Sequence, residues 1–446
     1  MALRVCWRSC RDWTVLSRRL VVFSRQEPAS SFLKGNATCN CGRSDSFIFT
    51  PACFITSDAF VSSLLKGNPA VADYRLPASV PLDNGEQTSL LLRRPDQPIN
   101  SKILKVAIIG APNAGKSTLS NQLLGRKVFA VSKKVHTTRK RSVGVLTEQD
   151  TQIILLDTPG LTTRSKVKRH QLENSLLLDP WRTVTEADLM VVVVDVSDKW
   201  MCKSLDFEVL KCLAQYPDIP AVLVLNKVDK VKMKDRLLDI TGELTCGVVN
   251  GRQLCVRPLI KPPWAEKRPE QDSVAFQDDD PSKLEDAADG DNTVVDKDRL
   301  KTLRTQKGWG GFKDVFMLSS LDKEDVETLK GYLMVAAKGG SWQYHSKVLT
   351  DQSPVELCID TIREKLLEHL PQEVPYSITQ VVELWEEDEN GLNVSVKILT
   401  KKESHVRMAI GAGGQMVARI AQETSKQLTH IFLKEVNLRL SVKMKK

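Results

Sequence analysis

The chain has 446 residues, of which 41% are hydrophobic and 27% charged, and a net charge of +9. That length allows two or three domains with real cores, the composition is that of a soluble globular chain, and no segment approaches transmembrane length. Its ten cysteines exclude a disulfide scaffold and a paired Cys-x-x-Cys zinc site: five fall in the first 53 residues, the others are scattered singly, and Cys39-x-Cys41 is incidental. A reducing compartment fits that usage.

The first 43 residues carry Arg4, Arg8, Arg11, Arg18, Arg19, Arg25, Lys34 and Arg43 against Asp12 and Glu27, with serines interleaved. Arginine-rich, acid-poor sequence of this kind reads as a mitochondrial presequence over 1–43. The other reading is a basic arm that binds nucleic acid. The apolar patches "VCW" and "LVVF" are too short, and too broken by arginine, for a secretory segment. Residues 44–100 read as a largely irregular linker, because "LPASVPLDNGEQ" and "RRPDQPIN" are rich in proline and turn residues.

From 101 to 340, continuous apolar runs alternate with helical stretches: "KILKVAIIG", "TQIILLD", "ADLMVVVVD", "AVLVLNK" and "FMLSS". Strands without polar alternation are buried on both faces, so the expected fold is α/β, a mostly parallel sheet with helices on both sides. Ligands of such sheets sit at the carboxyl ends of the strands. The domain is interrupted at about 250–310 by an expected disordered acidic insertion. Its centre, Asp272 to Asp298, holds ten acidic residues against Lys283 and Lys297, with too little apolar sequence to offset the entropy of ordering.

Three motifs fall at strand ends. "GAPNAGKS" (Gly110 to Ser117) lies between a strand and a helix and fits G-x-x-x-x-G-K-[ST]. The backbone N–H groups of Gly110, Asn113, Ala114, Gly115 and Thr118 can wrap phosphates, Lys116 can reach the terminal ones, and the Ser117 hydroxyl can hold Mg2+. In "LLDTPG", Asp157 can hold Mg2+ through water, and the N–H of Gly160 can sense a γ-phosphate. In "NKVD" (Asn226 to Asp229), Asp229 can accept two hydrogen bonds from guanine, a pair that adenine does not offer, while Lys227 can lie over the base. "KKVHTTRKRSVG", between the first two motifs, is the expected first switch. A threonine there, Thr138 or else Thr137, would complete the Mg2+ shell only when γ-phosphate is bound. Leu161, after Asp-Thr-Pro-Gly, cannot orient a water as glutamine does, so hydrolysis is expected to be slow.

The pattern changes over 350–446. "SPVELCIDTIREKLLEHL" reads as an amphipathic helix capped by Ser353, "YSITQVVELWE" and "LNVSVKIL" as a hairpin, and "VNLRLSVKM" as a half-buried strand. Between hairpin and last strand, "MAIGAGGQMVARI" places Gly411, Ala412, Gly413 and Gly414 between two helices. This resembles the GxxG loop of a KH domain, which clamps single-stranded nucleic acid, and the element order is similar to the type II arrangement. Eleven Lys or Arg face three acids from Lys397 to Lys446, which suggests one basic face. Candidate RNA contacts are Lys401, Lys402, Arg407, Ile410, Gly411, Ala412, Gly413, Gly414 and Arg419.

The first three motifs resemble those of the GTPase superfamily, with "SSL" (Ser319, Ser320, Leu321) standing where that superfamily usually has Ser-Ala-Lys. A GTPase domain followed directly by a type II KH domain resembles the Era family of ribosome-assembly GTPases. The likeness runs over "GKSTLSNQLLG", "TTRKRSVG", "DTPGL", "NKVD", "PYSIT" and the GxxG helix pair. With the presequence, the animal mitochondrial branch of that family is the expectation. The resemblance implies GTP and Mg2+ as ligands, and Asn113 matches a P-loop asparagine with which some relatives bind K+, so Asn113, Thr138 and Gly160 are the candidate groups around the reacting phosphate. It also implies binding to the 3′ region of small-subunit rRNA, a chaperone role in assembling the mitochondrial small ribosomal subunit, and a monomer in the matrix with peripheral contact to the inner membrane. Two other readings share part of this pattern, the first of them the P-loop asparagine and the Thr-Thr-Arg switch. A tRNA-modification GTPase of the TrmE type would need a helical domain and a folate-binding N-terminus that are not visible here. An RNA-binding module with a vestigial nucleotide pocket would differ in GTP turnover.

Overall fold

The computed structural model describes Arg4–Val5 and residues 79–132, 142–158, 181, 183–198, 202–254, 297–371, 373–389 and 391–445. The rest of the expected presequence, Thr137, Thr138, Gly160, Leu161 and the centre of the acidic insertion lie outside these residues. Among the described residues no helix is long and apolar enough to cross a membrane.

In chain order the main elements of the first half are helix α1 (Asn84–Leu92), strand β1 (Lys102–Ile109), α2 (Lys116–Leu124), β2 (Ser142–Glu148), β3 (Thr151–Asp157) and β4 (Leu189–Asp195). They continue with α3 (Phe207–Gln215), β5 (Ala221–Asn226), α4 (Asp235–Leu244), α5 (Lys297–Thr305), β6 (Phe312–Met317) and α6 (Lys323–Ala336). The sheet order is β6-β5-β4-β1-β3-β2, and Arg4–Val5 pairs in parallel beside β6. Every pairing from β6 to β3 is parallel. Strand β3 is buried along its whole length and β5 likewise, as covering on both faces requires. Asp206 and Asp322 cap α3 and α6 by accepting from the N–H two residues on.

Three local expectations are corrected. Strand β2 is antiparallel to β3 and takes up Ser142, Val143 and Gly144, the last residues of the stretch expected to be the first switch. Its mixed sequence "SVGVLTE" lacks the continuous apolar run of the central strands, which is why only five strands are evident from the pattern. Within the stretch expected to be a linker, residues 84–92 form α1, with Asp83 capping it. Val80 and Leu82 are buried, and Gln87, 3% exposed, donates to the carbonyls of Thr350 and Gln352. Within the bounds expected for the insertion, Lys297–Thr305 is helical and Leu303 is buried.

The second half comprises α7 (Pro354–His369), β7 (Thr379–Asp388), β8 (Gly391–Thr400), α8 (Glu403–Ile410), α9 (Gln415–Phe432) and β9 (Val436–Met444). Ser353 and Glu356 form a reciprocal capping box with Pro354 in the first turn. The hairpin β7–β8 is antiparallel, and β8 pairs in parallel with β9, so the type II order is present. Trp385 on β7 packs edge-on against Phe432 on α9 and donates its indole N–H to the Leu82 carbonyl.

Candidate nucleotide cleft and nucleic-acid surface

The loop from Gly110 to Ser117 joins β1 to α2 at the carboxyl end of the sheet. Gly110 has φ +150°, and a Cβ there would lie 2.3 Å from the Val193 carbonyl oxygen of β4. Gly115 has φ +98°, and its Cβ would lie 2.2 Å from Asn226 Nδ2. Each glycine is therefore demanded by both backbone and neighbour. Asn226, buried at the end of β5, donates to the Ala114 carbonyl at 2.8 Å and accepts from Lys227 N, Ser320 N and Ser320 Oγ at 2.8–3.0 Å. One amide thus joins the phosphate loop, the "NKVD" turn and the "SSL" loop. Lys227 donates to the Asn113 carbonyl at 2.8 Å and to Asp195 at 2.5 Å. Partial burial raises the Asp195 carboxyl, but hydrogen bonds from Lys227 and Ser197 outweigh it and hold it below its ordinary value.

The charges at the phosphate end are buried. Lys116 is 6% exposed, and its ammonium donates to the carbonyls of Gly110 and Ala111. Burial lowers its pKa to about 8 against the opposing pull of Asp157. Asp157 is fully buried and accepts from the Ser117 hydroxyl at 2.7 Å. Burial pushes its carboxyl up to about 6, although Ser117 and Lys116 both favour the charged form. Its Oδ1 makes no hydrogen bond among the described residues. A buried carboxylate oxygen left over beside a hydroxyl suits a hard divalent cation, so the residues present fit Mg2+ and a phosphate chain.

At the base end Asp229 is exposed on the turn Val228–Lys230 and lines the same cleft of about 780 Å3 as Lys227, Ser319, Ser320 and Leu321. Ser319 and Ser320 are buried, with their backbone N–H groups used by Asp325 and Asn226. They shape the loop, while the Leu321 side chain is 75% exposed. Three features lie beyond the sequence motifs: Asp195, which holds Lys227, Asp325, which accepts from the Ser319 N–H, and the cleft wall supplied by Glu364, Lys365 and Glu368 of α7. Asp195 ends an apolar strand, as Asp157 does, and that position was its one readable signal. Nothing local marks the α7 wall.

The glycine loop of the second half is equally specific. Gly411 closes α8 with φ +72°, and a Cβ there would meet Met416 Cβ at 2.6 Å. Gly413 and Gly414 have φ +56° and +79° with open space around them. Ala412 and Gly413 are exposed, and so are Lys401, Lys402, Arg407 and Arg419, while Ile410 is half-buried. Arg407 pairs with Glu403 and Arg419 with Glu423, each one turn along its own helix. Surface pairs of this kind are worth little, so both arginines can exchange their partners for phosphates.

Fold and cleft together define a P-loop GTPase joined to a KH domain. The family model of the 50S ribosome-binding GTPases matches residues 105–227, and that of the KH domain matches 373–446. The chain is 66% identical over 407 residues to the mitochondrial GTPase Era of Salmo salar, covering 90% of this chain and 89% of the relative. It is 54% identical over 460 residues to that of Danio rerio, covering both completely. GTPase Era of Sinorhizobium medicae is 30% identical over 76% of this chain and 87% of its own length. The fold is also that of a crystal structure of Era in complex with MgGDPNP and nucleotides 1506–1542 of 16S ribosomal RNA, with a TM-score of 0.55, 24% identity, and coverage of 77% of this chain and 94% of that one. The chain belongs to the Era family of GTPases, in its mitochondrial branch. It hydrolyses GTP to GDP and phosphate.

Proposed function

We propose that this GTPase binds the 3′ region of the mitochondrial small-subunit rRNA through its KH domain and serves as an assembly chaperone of that subunit. The observation that carries the reading is the presence in one chain of a formed phosphate cleft and a Gly411–Gly414 loop whose Ala412 and Gly413 are exposed, flanked by Lys401, Lys402, Arg407 and Arg419. The Era structure in complex with an rRNA fragment supports it by kinship. The protein acts as a monomer in the matrix, and peripheral contact with the inner membrane belongs to the same reading, on the strength of the family resemblance alone.

Within the cleft, Lys116 and the loop N–H groups hold the phosphates, and Asp229 selects guanine. Ser117, Asp157 and Thr138 hold Mg2+, which when bound neutralises charge on the β- and γ-phosphate oxygens. Asn113 is the residue placed to recruit K+. Gly160 reports on the γ-phosphate. With Leu161 unable to orient water, turnover is slow until RNA or a protein partner supplies what is missing. Crosslinking the protein to RNA in cells and sequencing the contacts tests the reading. Enrichment at the 3′ end of the small-subunit rRNA is expected, and crosslinks spread over unrelated transcripts would overturn it.

A further inference from the structure

The segment that leads into the stretch read as the first switch is held by α2 and by the second half of the chain. Asn121 of α2 accepts from the N–H groups of Val128 and Phe129 at 2.8 Å. Two residues on, the support passes to α7: the N–H of Val131 donates to Glu364 Oε2 at 2.9 Å, and Lys127 donates to Glu364 Oε1 at 2.5 Å. The Glu364 side chain is 3% exposed, and each oxygen of this buried carboxylate accepts from that stretch of chain, with the Lys365 ammonium also 3.8 Å from Oε1. Lys127 also donates to Gln427 of α9, the helix that follows the glycine loop.

The exit from the same segment is tied in the same direction. Val143 donates its N–H to Asp351 and accepts at its carbonyl from the Thr350 hydroxyl, at 3.0 and 2.7 Å, and Gln352 donates to the Ser142 hydroxyl at 2.8 Å. Val131 on one side, and Ser142 and Val143 on the other, are thus bonded to groups supplied by the chain beyond 340. Glu364 also lines the cleft that holds Lys116 and Ser117.

We propose that Glu364 is a positioning residue for GTP hydrolysis, supplied by the C-terminal half: by holding Val131 and Lys127 it sets the entry of the first switch and so its fit to the γ-phosphate. The proposal rests on reading residues 133–144 as that switch. A buried carboxylate is strongly favoured to keep its partners, because losing one leaves a charge uncompensated away from water. The contact is therefore kept or lost as a unit, which suits a residue that sets a switch rather than a surface contact that slides.

The test is Glu364→Gln in the full chain. The amide keeps the volume but replaces one accepting oxygen with a donor, which faces the N–H of Val131 or the ammonium of Lys127 with a group that cannot accept. GDP affinity is expected to stay within about twofold, while affinity for a non-hydrolysable GTP analogue and kcat each fall by roughly tenfold, the size of one lost hydrogen bond to a charged group. A purely structural role would weaken both nucleotides together. Lys127→Met removes only one arm and should give a smaller shift of the same kind, and Glu364→Asp should recover part of the loss. An unchanged ratio of analogue to GDP affinity and an unchanged kcat in Glu364→Gln, with Thr138→Ala moving both, would overturn the proposal. If neither Thr137→Ala nor Thr138→Ala moves the ratio, the switch reading fails and the proposal falls with it.

Discussion

The nucleotide cleft and the glycine loop of the second half arrange their charges by opposite means. In the nucleotide cleft, Lys116 and Asp157 are buried and their charges are unsettled: one pKa is lowered to about 8, the other raised to about 6. At the glycine loop, the cations are exposed and Arg407 and Arg419 rest on carboxylates of their own helices. Buried, mismatched groups are a site arranged in advance for a ligand that will complete them. Solvated, exchangeable ones suit a polymer whose phosphates arrive in several registers. The difference teaches where selectivity is built: the cleft spends stability on fixed geometry, whereas the KH surface keeps its charges in water and relies on a backbone loop for shape.

The largest expected effect separates the regions. Lys116→Ala should weaken GTP binding by roughly 100-fold, the upper end for a hydrogen bond between charged groups, while RNA binding persists. Equilibrium binding of both ligands to the same preparation checks it, and loss of both affinities would show that the regions are not independent. The converse variant carries Asp at Ala412 and Gly413. A Cβ at Gly413 meets no atom within 4 Å, and aspartate tolerates its left-handed backbone better than most residues. Two carboxylates near phosphates cost about 1 kcal/mol each even in water, so RNA affinity should fall roughly 30-fold with GTP affinity unchanged. Full RNA affinity with an unaltered circular dichroism spectrum would place the RNA surface elsewhere.

A smaller effect tests selection within the cleft. Asp229→Asn should cost GTP roughly tenfold in affinity and favour xanthosine triphosphate, whose C2 oxygen matches the new amide. Competition between the two nucleotides reads the reversal, and an ATP affinity equal to that for GTP in the parent protein would contradict the guanine assignment.

An effect of similar size comes from pH. The folded pKa of Asp157 lies above its unfolded value, so the nucleotide-free fold is penalised as pH rises from about 4 through about 6. Mg2+ needs the ionised form, so its contribution to binding runs the other way, falling about tenfold between pH 7 and pH 5. Calorimetric titration across that range should show the trend, and Asp157→Asn should abolish it. The glycine loop has no buried carboxylate of this kind among the described residues, so RNA binding should follow salt more than pH over the same interval.

Much of the cleft was legible because its parts are contiguous. A phosphate loop is built from consecutive N–H groups between a strand and a helix, and the Gly110 and Gly115 positions are declared by residue type. Strand-end acids and "NKVD" stand at fixed places after apolar runs. Strand β2 escaped notice because it is an edge strand with polar residues in its run. Helix α1 escaped because a nine-residue helix in proline-rich surroundings is stabilised by what it packs on, the 350–352 carbonyls and the core around Leu82, more than by its own sequence.

By itself the amino-acid sequence determined the local features that neighbouring residues form together: the phosphate loop, the turn that carries Asp229, the capping box at Ser353 and the glycine loop between α8 and α9. Only the tertiary structure decided which groups meet across the chain. Asn226 reaches Ala114 over 112 residues, Lys227 reaches Asp195 over 32, and Glu364 reaches Val131 over 233. Helix and turn preferences act over a few residues, but a buried carboxylate is placed by whichever distant backbone needs its oxygens, and that choice exists only once the two halves have packed.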